Sequence, residues 1–425
     1  MTVISWVKRV FESKTQAAVT ARELKPIDDQ LVFAASKPLT IGVEFELALL
    51  DAQSLKPAHR AVEIVDQLKN PLLHKELFEH MLEVTTPICQ DAHEVCLNLG
   101  KALAQVQNHI AADDLLLCGT GQPPTIYLAD CRRVPDPRYA VLRENRKILI
   151  DRFGKLGMHI HLGMSDAESC VRYSNFFMHF IPHLLALSAG SPFEEGINTG
   201  LASIRPTITE SLPVAGMPYF SATWRDFRDL CHAMYRAGSI QNLKDLWWDI
   251  RPCPRYGTME IRICDQPSTL AEAMAIIAFV HALALWFSEH QSWLEEMPRP
   301  SAWRARENKW RAMRYSLDAK LVLNKQGDLR PIAEDIAMWL ERLEPIIRQR
   351  QYEPYIETLR AMLAQGGSAA RQQQVWDATQ SLEAVTRFCC DELKSGRPQW
   401  QQAAAMRAPD EADEPDGAQA ASSAA

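Results

Sequence analysis

Two carboxylates interrupt an otherwise apolar segment, TIGVEFELALLD, at residues 40–51. Successive side chains of a β-strand point to opposite faces, so a strand here would place Glu44 and Glu46 on one face and large apolar side chains on the other. A solvated outer face of an antiparallel sheet would show the same alternation. The segment therefore predicts two acids that project together, and other segments must decide whether they do chemistry.

Three further segments place chemically active side chains on one strand face in the same way. Glu83 interrupts HMLEVTTPI, His159 and His161 alternate in LGMHIHLGM, and Glu260 alternates with Arg262 in GTMEIRICD. Each pattern alone also fits a structural role, namely a surface acid, a hydrogen-bonded core histidine or a cross-strand ion pair. Their repetition in four segments indicates one shared polar face.

Bound cations would explain such a face. Four carboxylates brought together repel one another at a high cost, and a metal ion would remove that cost. Carboxylate oxygens with one or two imidazoles suit Mg²⁺ or Mn²⁺, whereas a closed structural zinc site usually contains cysteine. Because magnesium in enzymes is commonly bound together with substrate phosphates, the pattern predicts a surface that holds both metal and phosphate.

Glycines and arginines extend this prediction. Gly42, Gly157 and Gly163 fall on the polar face, where a missing side chain would let a ligand approach the backbone. Arginine binds phosphate and carboxylate through its planar fork, although clustered arginines also fit solvated helices and loops. Three clusters occur, in RYAVLRENRK (138–147), RPCPRYG (251–257) and RARENKWRAMRYS (304–316). The sequence has no Walker A and no G-x-G-x-x-G motif, so a P-loop or Rossmann nucleotide site is unsupported.

The elements that must position these side chains follow an α+β pattern. Strands are predicted near 40–50, 80–86, 156–163 and 258–264, and helices near 60–68, 91–112, 168–188 and 269–289. The region 300–395 is predicted to be mostly helical, with long helices near 330–349 and 368–393. We therefore predict one body in which helices cover a mainly antiparallel sheet.

Composition favours a cytoplasmic enzyme that acts on small molecules. The chain has 425 residues, of which 47% are hydrophobic, and its formal charge of -7 and pI near 6.0 give no general basic surface for nucleic acid. Ten cysteines without a C-x-x-C pair are typical of reduced, buried thiols. The apolar run 273–287 is too short for a membrane span, and the N-terminus lacks the features of a secretory signal.

The two ends of the chain differ from its middle. Residues 1–36 are predicted to be an extension with a short amphipathic helix and a linker, and docking of that helix onto the body is favoured over membrane attachment. Residues 396–425 are predicted to form a disordered acidic and alanine-rich tail, because they contain too few large apolar groups to offset the entropy of ordering. A single catalytic domain is predicted between them, at 37–395.

Four motifs together resemble a known family. GVEFEL, LEVTTP, GMHIHLG and WDIRPCPRYGTMEIRICD are similar, in this order, to motifs of the YbdK-type carboxylate-amine ligases in the glutamate-cysteine ligase type 2 family, over about residues 37–390. The resemblance implies a glutamine-synthetase-like α+β fold, in which a curved antiparallel sheet holds metals, ATP and an acid substrate on its concave face and packs helices on its outer face.

The resemblance also implies roles for individual residues. Arg262 would be catalytic and face the transferred phosphate. The metal ligands would be Glu44, Glu46, Glu83, His159 and Glu260. Substrate or ATP contacts would come from Glu76, Arg143, His161, Arg255, Arg314 and Tyr315, with Glu76 a further metal candidate and His161 alternatively a group that orients its neighbours. Ser316 stands where the family pattern predicts glycine, which leaves the details of that loop open.

The predicted function is that of an ATP-dependent ligase. The enzyme would phosphorylate a carboxylate, with the γ-carboxyl of L-glutamate as the leading candidate, and pass the acyl group to an amine such as L-cysteine, using ATP with Mg²⁺ or Mn²⁺. The predicted assembly is a homodimer without nucleic-acid or membrane partners. Two alternatives stay open at this point: a phosphotransferase of the guanidino-kinase type, and a noncatalytic regulatory protein on the same fold.

Overall fold

A computed structural model describes residues 25–297, 299 and 301–400. The predicted N-terminal amphipathic helix and nearly all of the predicted tail lie outside these residues. The strands are β1 (Ile41–Asp51), β2 (Leu73–Lys75), β3 (Met81–Thr85), β4 (Leu115–Cys118), β5 (Met158–Gly163), β6 (Phe193–Glu194), β7 (Ile197–Asn198), β8 (Ala215–Gly216), β9 (Trp247–Trp248), β10 (Ile250–Cys253), β11 (Thr258–Ile261), β12 (Lys320–Val322) and β13 (Leu329–Pro331).

Seven of these strands form one antiparallel sheet around β1. The order is β10-β11-β5-β1-β3-β2, and β4 pairs with the second half of β1. The 11-residue β1 pairs with β5 on one side and with β3 and then β4 on the other. The four segments that the sequence singled out are therefore β3, β1, β5 and β11, and they lie side by side.

The described residues form sixteen α-helices, several of which cover the apolar face of this sheet. Their bounds are α1 (Lys25–Asp28), α2 (Ala61–Leu68), α3 (Ala92–Ile110), α4 (Pro137–Arg146), α5 (Ile148–Asp151), α6 (Ala167–Met178), α7 (Ile181–Ser188), α8 (Arg205–Thr209), α9 (Trp224–Arg236), α10 (Leu270–Glu289), α11 (Trp293–Glu296), α12 (Ala302–Tyr315), α13 (Ile332–Arg350), α14 (Glu353–Gln365), α15 (Ser368–Thr379) and α16 (Leu382–Ser395). The predicted α+β architecture, with helices on one face of an antiparallel sheet, is confirmed.

The hydrophobic core lies between the sheet and these helices. Val43 and Phe45 of β1 and Ile160 of β5 are buried there, together with most of α10. Alternation along the strands explains this, because each apolar residue has a polar neighbour that faces the other way. The core helices thus fix one face of the sheet and leave the opposite face free to carry charged groups.

Some predicted boundaries are wrong, for local reasons. The single helix predicted at 168–188 is two helices, which end and begin around His179 and Phe180, with Pro182 in the first turn of the second. The helix predicted at 368–393 is also two, because Gln380 adopts a left-handed conformation with φ of 51° and ends the first. The last predicted strand ends at Ile261, three residues early.

Helix α10 belongs to the core. By length and composition it could cross a membrane, but 83% of its most apolar window is buried inside the protein. Thr269 caps its first turn, and its buried His281 bonds to the backbone carbonyl of Leu39 and to the hydroxyl of Tyr352. Contacts of this kind are typical of a central helix in a folded domain. The prediction that this segment is too short for a membrane span does not hold, because the helix has 20 residues, and burial is what assigns it to the core.

Candidate active site

The strand register brings the predicted polar residues together. Glu44 lies opposite His159, and His161 lies opposite Glu260. On the other side of β1, Glu46 lies opposite Glu83. Three ladders therefore align side chains that are up to 216 residues apart in the chain, from Glu44 to Glu260, on one face of the sheet.

This polar face is the floor of an open cleft of about 1490 Å³. The walls come from the loops around β2, from α4 and α5, from α8 and from the segment that precedes β10. Predicted site residues that line it are Glu44, Glu46, Glu76, Glu83, His159, Arg255 and Arg262. Glu260 and His161 lie just behind this lining, since Glu260 is fully buried and touches Arg262.

Glu44 is held by both imidazoles. His159 Nδ1 lies 2.7 Å from Glu44 Oε2, and His161 Nε2 lies 3.2 Å from Glu44 Oε1. Burial acts to raise the pKa of Glu44, but these hydrogen bonds outweigh it and keep that pKa well below the ordinary value. Burial, with the nearby charge of Arg262, lowers the pKa of His159 to about 4. The pair therefore carries a carboxylate beside a neutral imidazole, which is the form that binds metal.

Glu260 is an ionised carboxylate between two arginines. Arg251 donates to Oε2 through Nε at 2.7 Å, and Arg262 contacts Oε1 through Nη1. The thiol of Cys253 also donates to Oε2, at 2.9 Å. Burial opposes ionisation, but the charges of Arg251 and Arg262 hold the pKa of Glu260 well below its ordinary range. Glu260 thus contributes a fixed negative charge that positions Arg262 over the floor.

Glu46, Glu76 and Glu83 form a second cluster in which no basic side chain pairs directly with Glu46 or Glu83 within the described part of the chain. The backbone N–H of Gly157 donates to Glu46 Oε2 at 2.5 Å. Burial and the charge of Glu76 raise the pKa of Glu46 to about 8. Burial and the charges of Glu44 and Glu76 raise the pKa of Glu83 to about 10. Without a cation, these acids therefore share protons instead of ionising together.

Both clusters fit divalent cations. One ligand atom each from Glu44, His159 and Glu260 lies within 4.8 Å of the others, and the same holds for Glu46, Glu76 and Glu83. An all-carboxylate set suits Mg²⁺ or Mn²⁺, and a set with one imidazole suits Mn²⁺ or Mg²⁺ as well. A third group, of His161, Cys253 and Glu260, meets the same distance criterion. Because Glu46, Glu76 and Glu83 lie together and no basic side chain of the described residues pairs with Glu46 or Glu83, their carboxylates have the arrangement that a divalent cation requires.

At two of the three glycines of the polar face, other parts of the protein already occupy the space that a side chain would fill. A Cβ on Gly157 would lie 2.4 Å from Arg205 Nη2, and a Cβ on Gly163 would lie 2.3 Å from the carbonyl oxygen of Lys37. At Gly42 a Cβ would make an ordinary contact of 3.6 Å. The prediction that these positions admit a ligand to the backbone is therefore wrong for Gly157 and Gly163.

Three residues predicted to contact substrate lie away from the cleft lining. Arg143 is exposed and lies 3.7 Å from Asp151, in an ion pair near the end of α4. Arg314 and Tyr315 are exposed at the end of α12, where the guanidinium of Arg314 stacks on the ring of Tyr315. From the predicted cluster 138–147, the arginine that lines the cleft is Arg146, together with Tyr139. The structure thus groups Arg255, but not Arg143, Arg314 or Tyr315, with the floor.

Two arginines of the site were not assigned from the sequence. Arg251 lies opposite Glu260 in the antiparallel pair of β10 and β11. The sequence does carry a signal for this pair, because the position of the turn between the two strands sets which residues lie opposite each other. Arg205, at the start of α8, is buried and approaches His159 Nε2 at 3.5 Å, while it donates to the carbonyl oxygens of Arg262 and Ile263. No local pattern marks Arg205, because its position depends on how a distant loop folds onto the sheet.

Comparison with known proteins places this geometry in a family. A sequence model of the glutamate-cysteine ligase family 2 matches residues 40–391. A relative from Bdellovibrio bacteriovorus, provisionally named glutamate–cysteine ligase 2, is 34% identical over 361 residues, which cover 84% of this chain and 96% of the relative. A relative from Frankia alni with a similar provisional name is 33% identical over 377 residues, which cover 87% of this chain and 99% of the relative.

Solved structures share the fold at low sequence identity. The glutamate–cysteine ligase of Francisella tularensis, solved in complex with AMP, is 14% identical with a TM-score of 0.61, over 88% of this chain and 92% of that chain. The bifunctional glutathione synthetase of Pasteurella multocida is also 14% identical, with a TM-score of 0.58 over 86% of this chain and 52% of that chain. The fold is therefore that of glutamate–cysteine ligases.

Proposed function

The chain belongs to the glutamate-cysteine ligase family 2, and from that premise we propose that it is an ATP-dependent carboxylate-amine ligase. Its donor would be the γ-carboxyl of L-glutamate, activated as an acyl phosphate, and its acceptor an amine such as L-cysteine. The F. tularensis ligase of the same fold holds AMP, which supports a nucleotide as the second substrate. A homodimer and a cytoplasmic location complete the proposal.

The observation that carries this proposal is the floor itself. Four glutamates form this floor, two of them with pKa values raised to about 8 and about 10, and five arginines line the same cleft: Arg146, Arg205, Arg251, Arg255 and Arg262. Acids that cluster in this way need cations, and arginines beside them are suited to phosphate. A cleft that holds both kinds of group can bind a metal-chelated triphosphate next to a carboxylate substrate.

The reaction balances as two transfers. First, an oxygen of the substrate carboxylate attacks the γ-phosphorus of ATP, the bond to the β-phosphate oxygen breaks, and ADP leaves. The amine nitrogen then attacks the acyl carbon and phosphate leaves with the shared oxygen, while a proton of the amine passes to solvent or to phosphate. Bound Mg²⁺ or Mn²⁺ would neutralise phosphate oxygens and fix their positions.

The residues of the chain have separate tasks in this scheme. Arg262, held in place by Glu260, points a planar guanidinium at the floor and would stabilise negative charge on the transferred phosphoryl group. Arg205 and Glu44 hold the two nitrogens of His159 and so fix its ring. Glu46, Glu76 and Glu83 would hold a cation at the other end of the floor.

An ADP-release screen with product identification tests the proposal. Purified protein with ATP, Mg²⁺ and L-glutamate should release ADP and phosphate when an amine is added, and mass spectrometry should find a γ-glutamyl amide. Hydroxylamine should replace the amine and give γ-glutamyl hydroxamate. Release of AMP and pyrophosphate, instead of ADP and phosphate, would indicate an acyl adenylate as the intermediate. A stable phosphorylated product without hydroxamate would favour the kinase alternative.

A further inference from the structure

Asp249 is a buried acid of the cleft that the metal-binding floor does not use. Seven acids of the described residues line the cleft, and four of them form the floor. Asp29 is exposed on the rim, and the carboxylate of Asp245 accepts hydrogen bonds from two backbone N–H groups of its own turn. The side chain of Asp249 is only 5% exposed, and its place in the wall has no local structural explanation of this kind.

Asp249 lies directly beside the group proposed to act on phosphate. Its backbone carbonyl accepts the N–H of Arg262 at 2.8 Å, so the two residues are neighbours across adjoining segments. Arg205 and Ile263 line the same part of the cleft. Asp249 and Arg262 therefore belong to one wall of the cleft, and a substrate that extends along this wall from Arg262 would meet Asp249.

The cation that partners Asp249 is shared with another acid. Lys309 of α12 is buried, and its Nζ lies 2.5 Å from Asp249 Oδ2 and 2.5 Å from Glu210 Oε1. Glu210 is 44% exposed and stands outside the cleft lining. One lysine thus serves two carboxylates, and the trio has a net charge of minus one.

One oxygen of this cleft-lining carboxylate lacks a donor, although the charge of Arg205 also acts on Asp249. Lys309 contacts only Oδ2 of Asp249, and within the described part of the chain no side chain or backbone N–H donates to Oδ1. A buried carboxylate that is only partly neutralised is costly unless a further donor completes it. Burial raises the pKa of Asp249 despite Lys309, as expected when that compensation is incomplete.

We propose that Asp249 binds the ammonium group of an amino-acid substrate and thereby selects amino acids over analogues without a charged nitrogen. This inference rests on the proposed function, since it assumes a ligase whose substrates enter the cleft. The ammonium has two possible sources, the α-ammonium of the acid that is activated and the ammonium form of the acceptor. An ammonium on Oδ1 would bring the trio of Asp249, Lys309 and Glu210 to neutrality.

The test compares Asp249→Asn with the matched control Glu210→Gln, which alters the other carboxylate on the same lysine. In the donor arm, kcat/KM is measured for L-glutamate and for glutarate, which lacks the ammonium, with hydroxylamine as acceptor. In the acceptor arm, L-glutamate is the donor, and L-cysteine is compared with hydroxylamine, which is mostly uncharged at mildly alkaline pH. Each arm gives a ratio of two kcat/KM values for one variant.

A donor role predicts that Asp249→Asn reduces the preference for glutamate over glutarate by roughly 10- to 100-fold, the range of a hydrogen bond to a charged group. An acceptor role predicts a similar fall of the cysteine to hydroxylamine ratio. Glu210→Gln should keep both ratios. The proposal is overturned if Asp249→Asn changes neither ratio, or if Glu210→Gln changes the same ratio equally.

A double variant guards against a folding defect. Asp249→Asn leaves Lys309 with one acid, so Asp249→Asn/Lys309→Gln removes both charges of the buried pair and should show the same loss of preference. Failure of this inference is distinct from failure of the proposed function. If the proposed function is wrong, the wild-type enzyme releases no ADP with any acid and amine. If only the role of Asp249 is wrong, the wild-type enzyme releases ADP and the variants keep its substrate ratios.

Discussion

Arg251 lies directly opposite Glu260 in the ladder between β10 and β11, and it donates to one oxygen of that carboxylate while Arg262 contacts the other. Glu260 is therefore charged and paired in the free protein. Glu83, three strands away on the same floor, lies among Glu44, Glu46 and Glu76, and its pKa is raised to about 10. Two acids of one site thus stand in opposite electrostatic environments, and their removal should have opposite effects.

Removal of the Glu260 charge should destabilise the protein. Glu260→Gln would leave two buried guanidinium groups without a counter-charge, and breaking a buried pair in this way costs roughly 3–5 kcal/mol. Urea unfolding of the metal-free protein measures the change. Glu63→Gln, in the exposed pair with Arg60, is the matched control and should leave stability nearly unchanged, because solvent screens that pair. Equal stability of wild type and Glu260→Gln would contradict the paired-charge account.

Removal of the Glu83 charge should stabilise the metal-free protein at alkaline pH. Burial and neighbouring acids raise the pKa of Glu83 to about 10 and that of Glu46 to about 8 in the folded protein, whereas both groups have the ordinary glutamate pKa in the unfolded chain. Between these limits the folded state holds protons that the unfolded state has lost. Stability should therefore fall as pH rises through this window, by up to about 1.4 kcal/mol per pH unit for each proton. Glu83→Gln should reduce that slope.

The metal dependence of this slope gives a second readout. Because Mg²⁺ or Mn²⁺ would neutralise the ionised acids, saturating metal should flatten the pH dependence of wild-type stability and release protons on binding. Calorimetry of metal binding in two buffers of different ionisation enthalpy counts those protons. A pH-independent stability of the metal-free wild type, or metal binding without proton release, would refute the raised pKa values.

Replacement of Arg262 should separate charge from shape. Arg262→Lys retains a positive charge but not the planar fork that contacts Glu260 and reaches the floor. We expect hydroxamate formation to fall by roughly 100- to 1000-fold in kcat, as for loss of one group that stabilises transferred charge. Binding of the nucleotide, followed by fluorescence of an analogue, should change much less. Near-normal kcat in Arg262→Lys would exclude a role for its guanidinium in the transfer.

Gly157 and Gly42 provide a matched pair on the same sheet face. Gly157→Ala should displace Arg205, whose Nη2 would lie 2.4 Å from the new Cβ, whereas Gly42→Ala makes an ordinary contact. We expect Gly157→Ala to lose roughly 1–3 kcal/mol of stability and most of its activity, and Gly42→Ala to lose little of either. Thermal unfolding and the ADP-release rate check both. Similar behaviour of the two variants would mean that Arg205 adapts freely.

The sequence by itself determined the floor of the site. Alternation along β1, β3, β5 and β11 assigns each side chain to a face without knowledge of any partner, because neighbouring residues of a strand must point in opposite directions. Glu44, Glu46, Glu83 and His159 were placed correctly for this reason. The α+β architecture followed from the same patterns, since the apolar faces needed helices to cover them.

Only the tertiary structure decided the state of charge and the walls of the cleft. Arg205 reaches His159 from a short helix with no distinctive pattern, and Lys309 pairs with Asp249 across 60 residues of sequence. The glycine at 157 proved to make room for Arg205, which no spacing rule could reveal. Such contacts depend on how loops and helices pack in three dimensions, whereas strand alternation is set by local covalent geometry alone.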